Sequence, residues 1–457
     1  MPPYIIISGF GEDIMSRPKF SGRIGFVLSA AGSAVGLGNI WRFPYLAAEY
    51  GGGIFLLCYL IVSLVLGFPI MAMEIAIGRR AARASIQSWR ALGKGGGAIG
   101  ILTSVITLIT LPYYCVIGGW VIKYALVFVT GAGRNAAESG FYSAFIGQTA
   151  EPVIFQVIFI AAAAGVVMFG VKNGIEKANK VLMPILVILA VVLALYSLFA
   201  EGAAVGAAYY LRPDFSKFSF ETILAATGQM FYSLSLSSGI IVTYGAYLER
   251  SADIERSVKQ VEIFDIGIAF LSGLTIICAL FAFSGGEEAA VSAGTGLMFE
   301  TMPAVFAAMP LGQAAGAVFF VLVLFAALTS AISMLEVNTA NLIGIFGLKR
   351  PAAAGIMAVV LFVLGIPSAL GYSVWSGVKP FGHAILDFMD IVGNSIITPI
   401  AALLACLYIG WVVKPSVISD EIGRNGVFRR RRSFEFMIKY AAPVFIGGVL
   451  LGAALGI

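Results

Sequence analysis

The sequence is poor in charge and in the residue type most used for catalysis. Only 12% of its 457 residues are Asp, Glu, Lys or Arg, whereas 60% are hydrophobic, and His383 is the single histidine. Soluble domains carry about 25% charged residues, so this composition excludes an ordinary soluble protein and indicates one that crosses a membrane many times. A lone histidine, without paired catalytic carboxylates or a Ser–His arrangement, also argues against an intramembrane enzyme.

Cysteine is equally scarce. Cys58, Cys115, Cys278 and Cys406 all fall in apolar runs and lack the spacing of a disulfide framework or a metal site. They are therefore interpreted as small core residues. No cleavable signal peptide is visible, so the first apolar run is expected to target the chain. The segment 1–14 fits nothing downstream and Met15 is a second plausible start; we expect a chain that begins at Met15 to retain its function.

Apolar runs follow one another along the chain and predict about eleven membrane-spanning helices. Each run is long enough to cross a bilayer about 30 Å thick, and the longest leave room for tilt or for surface segments. The fold class expected is an all-α integral membrane protein. The runs lie at roughly 24–48, 53–78, 98–130, 152–171, 181–200, 222–247, 262–284, 304–346, 352–371, 384–413 and 436–456.

Lysine and arginine are unevenly distributed between the loops. When the N-terminus is placed inside, most of the 29 basic residues fall in inner segments. The positive-inside rule therefore predicts a plasma (inner) membrane protein with a cytoplasmic N-terminus, and eleven spans put the C-terminus outside. Because the charge is confined to one side, the net charge of +5 does not indicate a nucleic-acid partner. The run Arg429–Arg432 is interpreted as an anchor on anionic lipid.

The first apolar run contains a stretch that is unusual for a membrane helix. Gly32–Asn39 carries three glycines, a serine and an asparagine in a run without charge from Ile24 to Trp41. Glycine is a poor helix former, and unwound backbone is tolerated in a bilayer only where protein or a water-filled cavity surrounds it. A close helix-packing seam is the alternative. The neighbouring polar residues Asn39 and Arg42 favour a binding site, because intramembrane polar residues are usually functional.

A second break is predicted in the sixth run, where serines recur at every other position within Gln229–Gly239. Serine competes with the helix by bonding to its own backbone, although serines also join membrane helices to one another. Breaks in spans one and six are equivalent positions in two groups of five, which is typical of a 5+5 inverted-repeat transporter. The predicted division is a cytoplasmic tail at 1–22, repeats at 23–205 and 206–413, and a basic cytoplasmic loop with the eleventh span at 414–457.

These residues resemble the neurotransmitter:sodium symporter family, and in particular its bacterial leucine and aromatic amino-acid transporters. The resemblance runs from about Arg17 to the end of the chain. The family commonly has a twelfth span, whereas eleven are expected here. The stretches that carry the resemblance are Gly36–Tyr45 with Glu49–Gly53 for the first span, Gly228–Gly239 for the sixth, Leu328–Ser330 for the eighth and Leu386–Asp390 for the tenth.

The resemblance implies two sodium sites. A dehydrated hard cation needs several oxygens, and carbonyls supply them without net charge. Hydroxyls that bond back to their own helix are the alternative for Thr329 and Ser330. Site one would use Ala34, Asn39, Ser233, Asp265 and the substrate carboxylate, and site two would use Gly32, Val35, Ala326, Thr329 and Ser330.

The resemblance also implies a pocket for an amino acid, with the Tyr114 hydroxyl at the substrate carboxylate. The alternative for Tyr114 is an ordinary buried aromatic residue with a satisfied hydroxyl. The implied substrate residues are Ser33, Ala34, Leu37, Gly38, Thr110, Tyr114, Tyr232, Ser233, Ser235, Ser238, Ser330 and Met334.

Gates are implied on both sides of this pocket. The acid that the family usually has after the eighth span would fall near Gly344, so the partner of Arg17 stays open. Glu74, and with less support Glu336, are expected to brace the unwound sixth span with a carboxyl that is protonated or fully hydrogen-bonded. The implied gate residues are Arg42 and Asp390 as an outer ion pair, Tyr114 and Tyr232 as the lid, and Arg17, Phe20 and Tyr247 at the inner gate.

The function expected from the resemblance is sodium-coupled import of amino acids by alternating access, by a monomer or loose dimer. Family members that carry amines without a carboxylate place an acid where this chain has Gly36, so we expect a substrate with its own carboxylate. Ser238 stands where an aromatic residue is frequent, and the adaptable Met334 lies in the same pocket, which favours bulky hydrophobic or aromatic L-amino acids.

Two sodium ions and no chloride are expected, because Asp265 stands where asparagine is usual and Ala269 where chloride-dependent members have serine. The residues that resemble those around the family's chloride are Tyr59, Gln229 and Ser233. The Asp265 carboxylate would supply the negative charge that chloride provides in chloride-dependent members, and would accept a proton while the transporter returns without substrate. The alternative is that Asp265 faces the inner loop. A channel is a weaker alternative, because the polar groups cluster at one depth beneath a lid. A proton-coupled amino-acid carrier of the same fold is the closest alternative.

Overall fold

The computed structural model describes residues 18–284 and 295–455, and every structural statement below refers to those residues. They are helical throughout apart from connecting segments and an isolated β-bridge between Gly52 and Pro213. Shorter helices lie between the long ones at Ser85–Arg90, Gly133–Ala136, Phe141–Ile146 and Ala203–Leu211. The helices used below are α1 (Arg23–Ala34), α2 (Gly38–Glu49), α3 (Gly53–Ala81), α4 (Gly96–Val129), α5 (Ala150–Met168), α6 (Val171–Leu198), α7 (Phe220–Ser233), α8 (Ile240–Tyr247), α9 (Ile254–Phe283), α10 (Leu297–Ala308), α11 (Gly312–Phe346), α12 (Arg350–Leu370), α13 (Ile385–Val413), α14 (Pro415–Ile422) and α15 (Arg431–Gly452).

The predicted fold class, an all-α membrane protein, is confirmed. Within the described residues, nine helices are individually long and apolar enough to cross a bilayer, and α1 with α2 forms a tenth element bent by 54°. The sixth run is divided into α7 and α8, whose 14 and 8 residues are about 21 and 12 Å long and too short to span separately. The count of eleven spans therefore stays a prediction.

Both breaks lie where the sequence predicts them. Helix α1 ends at Ala34 because Val35 adopts an extended conformation, and α2 begins at Gly38. Helix α7 ends at Ser233, after which Ser235 and Ser237 have φ values of +53° and +59°. Non-glycine residues rarely adopt positive φ, so this link is held by its surroundings rather than by local preference.

Two helix boundaries differ from the hydrophobic pattern. Helix α9 begins at Ile254, eight residues before the predicted run, because its first turns carry charged side chains and Asp253 caps them by accepting a hydrogen bond from the backbone N–H of Arg256. The run predicted at 304–346 is two helices, α10 and α11. Pro310 has no N–H with which to continue α10, and Leu311 adopts a left-handed conformation with φ of +57°.

Long, straight helices surround the broken ones. Helices α4 and α11 pack along most of their length, α1 lies against α6, α9 and α11, and α8 lies in close contact with α3. The α3–α8 contact requires glycine, because a Cβ atom at Gly78 would stand 1.9 Å from the carbonyl oxygen of Val242. The four cysteines are buried and free, as expected. The breaks are thus enclosed by protein, the condition under which unwound backbone survives in a membrane.

Candidate substrate and ion sites

A cavity lies between the two breaks and is closed laterally by α4 and α11. The cavity is narrow, because its volume of about 60 Å³ is well below the roughly 300–1,000 Å³ of typical small-molecule pockets. All twelve predicted substrate residues line this cavity. The structure therefore brings together residues that are up to 301 positions apart in the chain, from Ser33 to Met334. Their role in binding a substrate stays a prediction.

Glycine at two positions of the first break leaves this cavity open. A Cβ atom at Gly38 would stand 2.3 Å from the ring of Tyr232, and one at Gly36 would stand 2.6 Å from the Ser330 hydroxyl and 3.2 Å from the Tyr114 hydroxyl. Any side chain at Gly36 would therefore enter the space beside Tyr114. The Tyr114 hydroxyl accepts a long hydrogen bond of 3.4 Å from the backbone N–H of Leu37. The hydroxyl therefore faces the first break, and its role at a substrate carboxylate stays a prediction.

Asp265 is the centre of a buried polar cluster at the predicted site one. Its Oδ1 accepts hydrogen bonds from Asn39 Nδ2 at 2.7 Å and Ser233 Oγ at 2.6 Å, and its Oδ2 accepts one from the Tyr59 hydroxyl at 2.8 Å. Asp265 is 0% exposed, so it faces the interior and not the inner loop. Asn39 Oδ1 accepts a hydrogen bond from the Gly36 N–H at 3.1 Å, and Ala34 is the last residue of α1, directly before the break. Gln229 Nε2 donates to the Gly38 carbonyl at 2.9 Å beside this cluster.

Oxygens converge in the same way at the predicted site two. The Ser330 hydroxyl lies 3.4 Å from the carbonyl oxygen of Gly32, 3.1 Å from that of Ser33 and 3.3 Å from that of Val35. Thr329 donates back to its own helix, to the carbonyls of Phe325 at 3.1 Å and Ala326 at 3.0 Å, and its oxygen keeps lone pairs for a further partner. Of the oxygens near Ser330, the Ser33 carbonyl was not predicted.

The unwound backbone of the sixth run is satisfied by polar partners. Glu74 Oε1 accepts a hydrogen bond of 2.7 Å from the backbone N–H of Ser237, at the strained link. Ser235 Oγ donates to the Ser33 carbonyl at 2.9 Å, so the second break also satisfies backbone at the end of α1. Glu74 thus has the bracing position expected from the sequence. A carboxyl at this position stabilises the link because an unpaired buried N–H would cost about 1–3 kcal/mol.

The predicted outer ion pair is not formed in the structure. The Arg42 guanidinium lies 5.2 Å from the centre of the Tyr232 ring, and Asp390 Oδ1 accepts hydrogen bonds from the Tyr113 hydroxyl at 2.7 Å and Asn394 Nδ2 at 2.8 Å. Salt bridges found among the described residues include none between Arg42 and Asp390. Both side chains already have local partners here, so their pairing in a closed state stays a prediction.

At the predicted inner gate, Glu336 has a different role from the one expected. Its carboxylate forms a bidentate pair with Arg350 at 2.6 and 3.0 Å and accepts a hydrogen bond of 2.6 Å from the Tyr247 hydroxyl. It therefore holds the inner end of α8 against α12 and does not contact the break. Phe20 N–H donates to the Tyr247 carbonyl at 3.1 Å. Arg17, the remaining inner-gate residue, lies outside the described residues.

Some cavity residues were missed by the sequence reasoning. Thr107 and Asn394 line the cavity, and Thr107 accepts a hydrogen bond of 2.8 Å from Asn338 Nδ2 on α11. Asn179 on α6 is completely buried beside Gly32. The signal that could have found them is polarity within an apolar run, which is costly in a membrane and usually functional.

Comparisons with known proteins agree on one family. The sequence pattern that defines the sodium:neurotransmitter symporter family matches residues 17–132 and 144–455. An uncharacterized sodium-dependent transporter of Bacillus subtilis is 34% identical over 439 residues, covering 94% of this chain and 96% of the relative. An uncharacterized sodium-dependent transporter of Haemophilus influenzae is 33% identical, with 87% and 90% covered. The crystal structure of MhsT in complex with L-phenylalanine matches with a TM-score of 0.87 at 36% identity, covering 96% of this chain and all of that one.

Proposed function

This chain belongs to the sodium:neurotransmitter symporter family and is a multi-pass, sodium-dependent transporter, not an enzyme; within that family, we propose that it imports hydrophobic or aromatic L-amino acids. The observation that carries the proposal is the cavity between the two breaks, which is lined by Tyr114, by residues of both breaks and by members of both oxygen clusters. MhsT, solved with L-phenylalanine, supports an amino-acid substrate.

The contents of the cavity support a substrate with a carboxylate. Gly36 contributes no acid to pair with an amine, and the Tyr114 hydroxyl lies beside it. The other lining residues include Thr110, Ser238 and Met334. Because position 238 is a serine, it contributes no aromatic side chain to the pocket. A bulky apolar side chain gains the most from such a pocket, at about 0.8 kcal/mol per buried CH₂ group.

Two sodium ions are proposed, one at the Asp265 cluster and one where the carbonyls meet Ser330. Both donor sets suit a hard cation, because they offer carboxylate, hydroxyl and carbonyl oxygens. Asn39 faces the first set with its Nδ2, so to join it as a ligand the amide turns its Oδ1 from the Gly36 N–H toward the ion. Chloride is not required in this proposal. Asp265 places a negative charge in the first cluster, and Ala269, completely buried one turn further along α9, offers no hydroxyl to an anion.

The proposed transport cycle is alternating access. Sodium orders the two breaks, the substrate carboxylate completes site one, and the helices that carry the breaks then move against α4 and α11. Sodium must raise substrate affinity by the same factor by which substrate raises sodium affinity, because coupling between binding sites is reciprocal. The N-terminus is proposed to be cytoplasmic and the C-terminus external.

Counterflow in proteoliposomes tests this function. Liposomes loaded with unlabelled L-phenylalanine should take up labelled L-phenylalanine in sodium but not in choline. Unlabelled leucine, tyrosine and tryptophan should compete better than glycine. Exchange that is unchanged without sodium would favour a proton-coupled carrier, absence of counterflow together with ion conductance would favour a channel, and a panel in which glycine competes best would overturn the substrate class.

A further inference from the structure

Asn179 is a buried polar residue whose side chain lies beside Gly32, near the end of the first broken helix. It lies on α6, is 0% exposed, and its Nδ2 donates a hydrogen bond of 2.8 Å to the carbonyl of Ile175 one turn earlier. Its Oδ1 has no hydrogen-bond partner among the described residues. A buried amide oxygen without a partner costs about 1–3 kcal/mol, so such an atom calls for a function.

The direction of this amide is fixed by its surroundings. The carbonyl of Ile175 can only accept a hydrogen bond, so the NH₂ group of Asn179 must face it and the oxygen must face away. The oxygen points at Gly32. A Cβ atom at Gly32 would stand 2.1 Å from Asn179 Oδ1 and 3.3 Å from Thr329 Cβ, so the amide oxygen, the end of α1 and the Thr329 side chain meet at one place.

This place adjoins the oxygens assigned above to sodium site two. The Gly32 carbonyl is one of the three that converge on Ser330, and Thr329 carries a hydroxyl of the same set. Every one of those oxygens is neutral, and an amide carbonyl is the same kind of ligand. We propose that Asn179 Oδ1 is a further ligand of the cation held by Gly32, Val35, Ala326, Thr329 and Ser330. The proposal rests on the proposed function, because it requires that this site holds sodium.

A sodium titration of thermal unfolding tests the proposal without transport. The purified full-length protein is heated in detergent at increasing sodium, with choline keeping the ionic strength constant and no amino acid present. A ligand that binds the folded state raises the unfolding midpoint with its concentration, so the half-saturating sodium concentration reports affinity. Asn179→Leu should raise that concentration by about three- to tenfold, the effect of losing one interaction of hydrogen-bond strength. Asn179→Asp should lower it, because it retains an oxygen and adds a negative charge.

Gln156→Leu is the matched control. Gln156 is also a completely buried amide without partners, but it lies on α5 against Gly365 of α12 and not against Gly32. This variant should titrate like the wild type, and Thr329→Ala should shift as Asn179→Leu does. A shift in Thr329→Ala while both Asn179 variants match the wild type would overturn the Asn179 proposal and leave site two intact. A wild type without sodium stabilisation, or no shift in Thr329→Ala, would instead refute the sodium site.

Discussion

Replacing Asp265 by asparagine removes the charge of the first ion cluster and little else. In the wild type, Asn39 and Ser233 donate to the Asp265 carboxylate at 2.7 and 2.6 Å. The asparagine amide has the shape of the carboxylate and keeps one oxygen toward these two donors. Two unit charges about 4 Å apart attract by about 4 kcal/mol at an effective dielectric of about 20. Relief of the carboxylate's own desolvation offsets part of this loss. We expect a net loss of about 1.4–2.8 kcal/mol, which is a ten- to hundredfold weaker apparent sodium affinity.

The same variant tests chloride independence. Sodium-dependent uptake of labelled L-phenylalanine is measured in chloride and in gluconate. The wild type should be indifferent to this exchange, whereas Asp265→Asn should be partly restored by chloride, and more so when Ala269→Ser adds a hydroxyl donor. Wild-type uptake that collapses in gluconate, or an Asp265→Asn variant with unchanged sodium affinity, would refute the reasoning that this carboxylate balances the sodium charge.

Three further predictions concern single contacts. Tyr114→Phe should weaken substrate binding by about tenfold or more, because it removes a hydrogen bond to a charged group. The sodium titration of thermal unfolding without substrate should not change. An unchanged substrate affinity would show that Tyr114 does not bind the substrate. Glu74→Ala should destabilise the protein by about 1–3 kcal/mol, because it leaves the buried Ser237 N–H without an acceptor. Glu74→Gln keeps an acceptor oxygen, so its unfolding temperature should be near that of the wild type. Equal unfolding temperatures of the two variants would contradict this prediction. Arg79→Met should cost about 3 kcal/mol because it removes the 2.8 Å partner of the buried Glu421 and leaves only the longer, 3.5 Å contact with the half-exposed Arg424. Adding Glu421→Met should recover part of that loss, and a double variant less stable than the single one would contradict the account.

The breaks were predictable because their cause is local. Three glycines within Gly32–Asn39 weaken a helix whatever surrounds it, and the serines after Ser233 offer the backbone alternative partners. The role expected of Asp265 came from the family resemblance, whereas its place about three turns into α9 depends on a helix start at Ile254 that the apolar run from 262 did not predict. The family resemblance supplied the grouping of distant residues around one cavity, which no local pattern contains.

The remaining features depend on tertiary contacts. The Glu336 carboxylate pairs with Arg350, fourteen residues away and on the next helix, because a turn brings the start of α12 beside α11. Arg42 lies over Tyr232 instead of pairing with Asp390, since Asp390 has neighbours in Tyr113 and Asn394 that its own sequence context does not reveal. Partner choice among buried polar groups follows from three-dimensional proximity, so residue type and spacing alone left these contacts open.

Uphill uptake driven by sodium alone tests the central claim most directly. Proteoliposomes that contain the wild-type chain are diluted into sodium chloride with labelled L-phenylalanine, with a protonophore present to abolish any proton gradient. The account predicts accumulation above the external concentration that disappears when choline replaces sodium. Accumulation that instead requires an inward proton gradient and proceeds without sodium would contradict it.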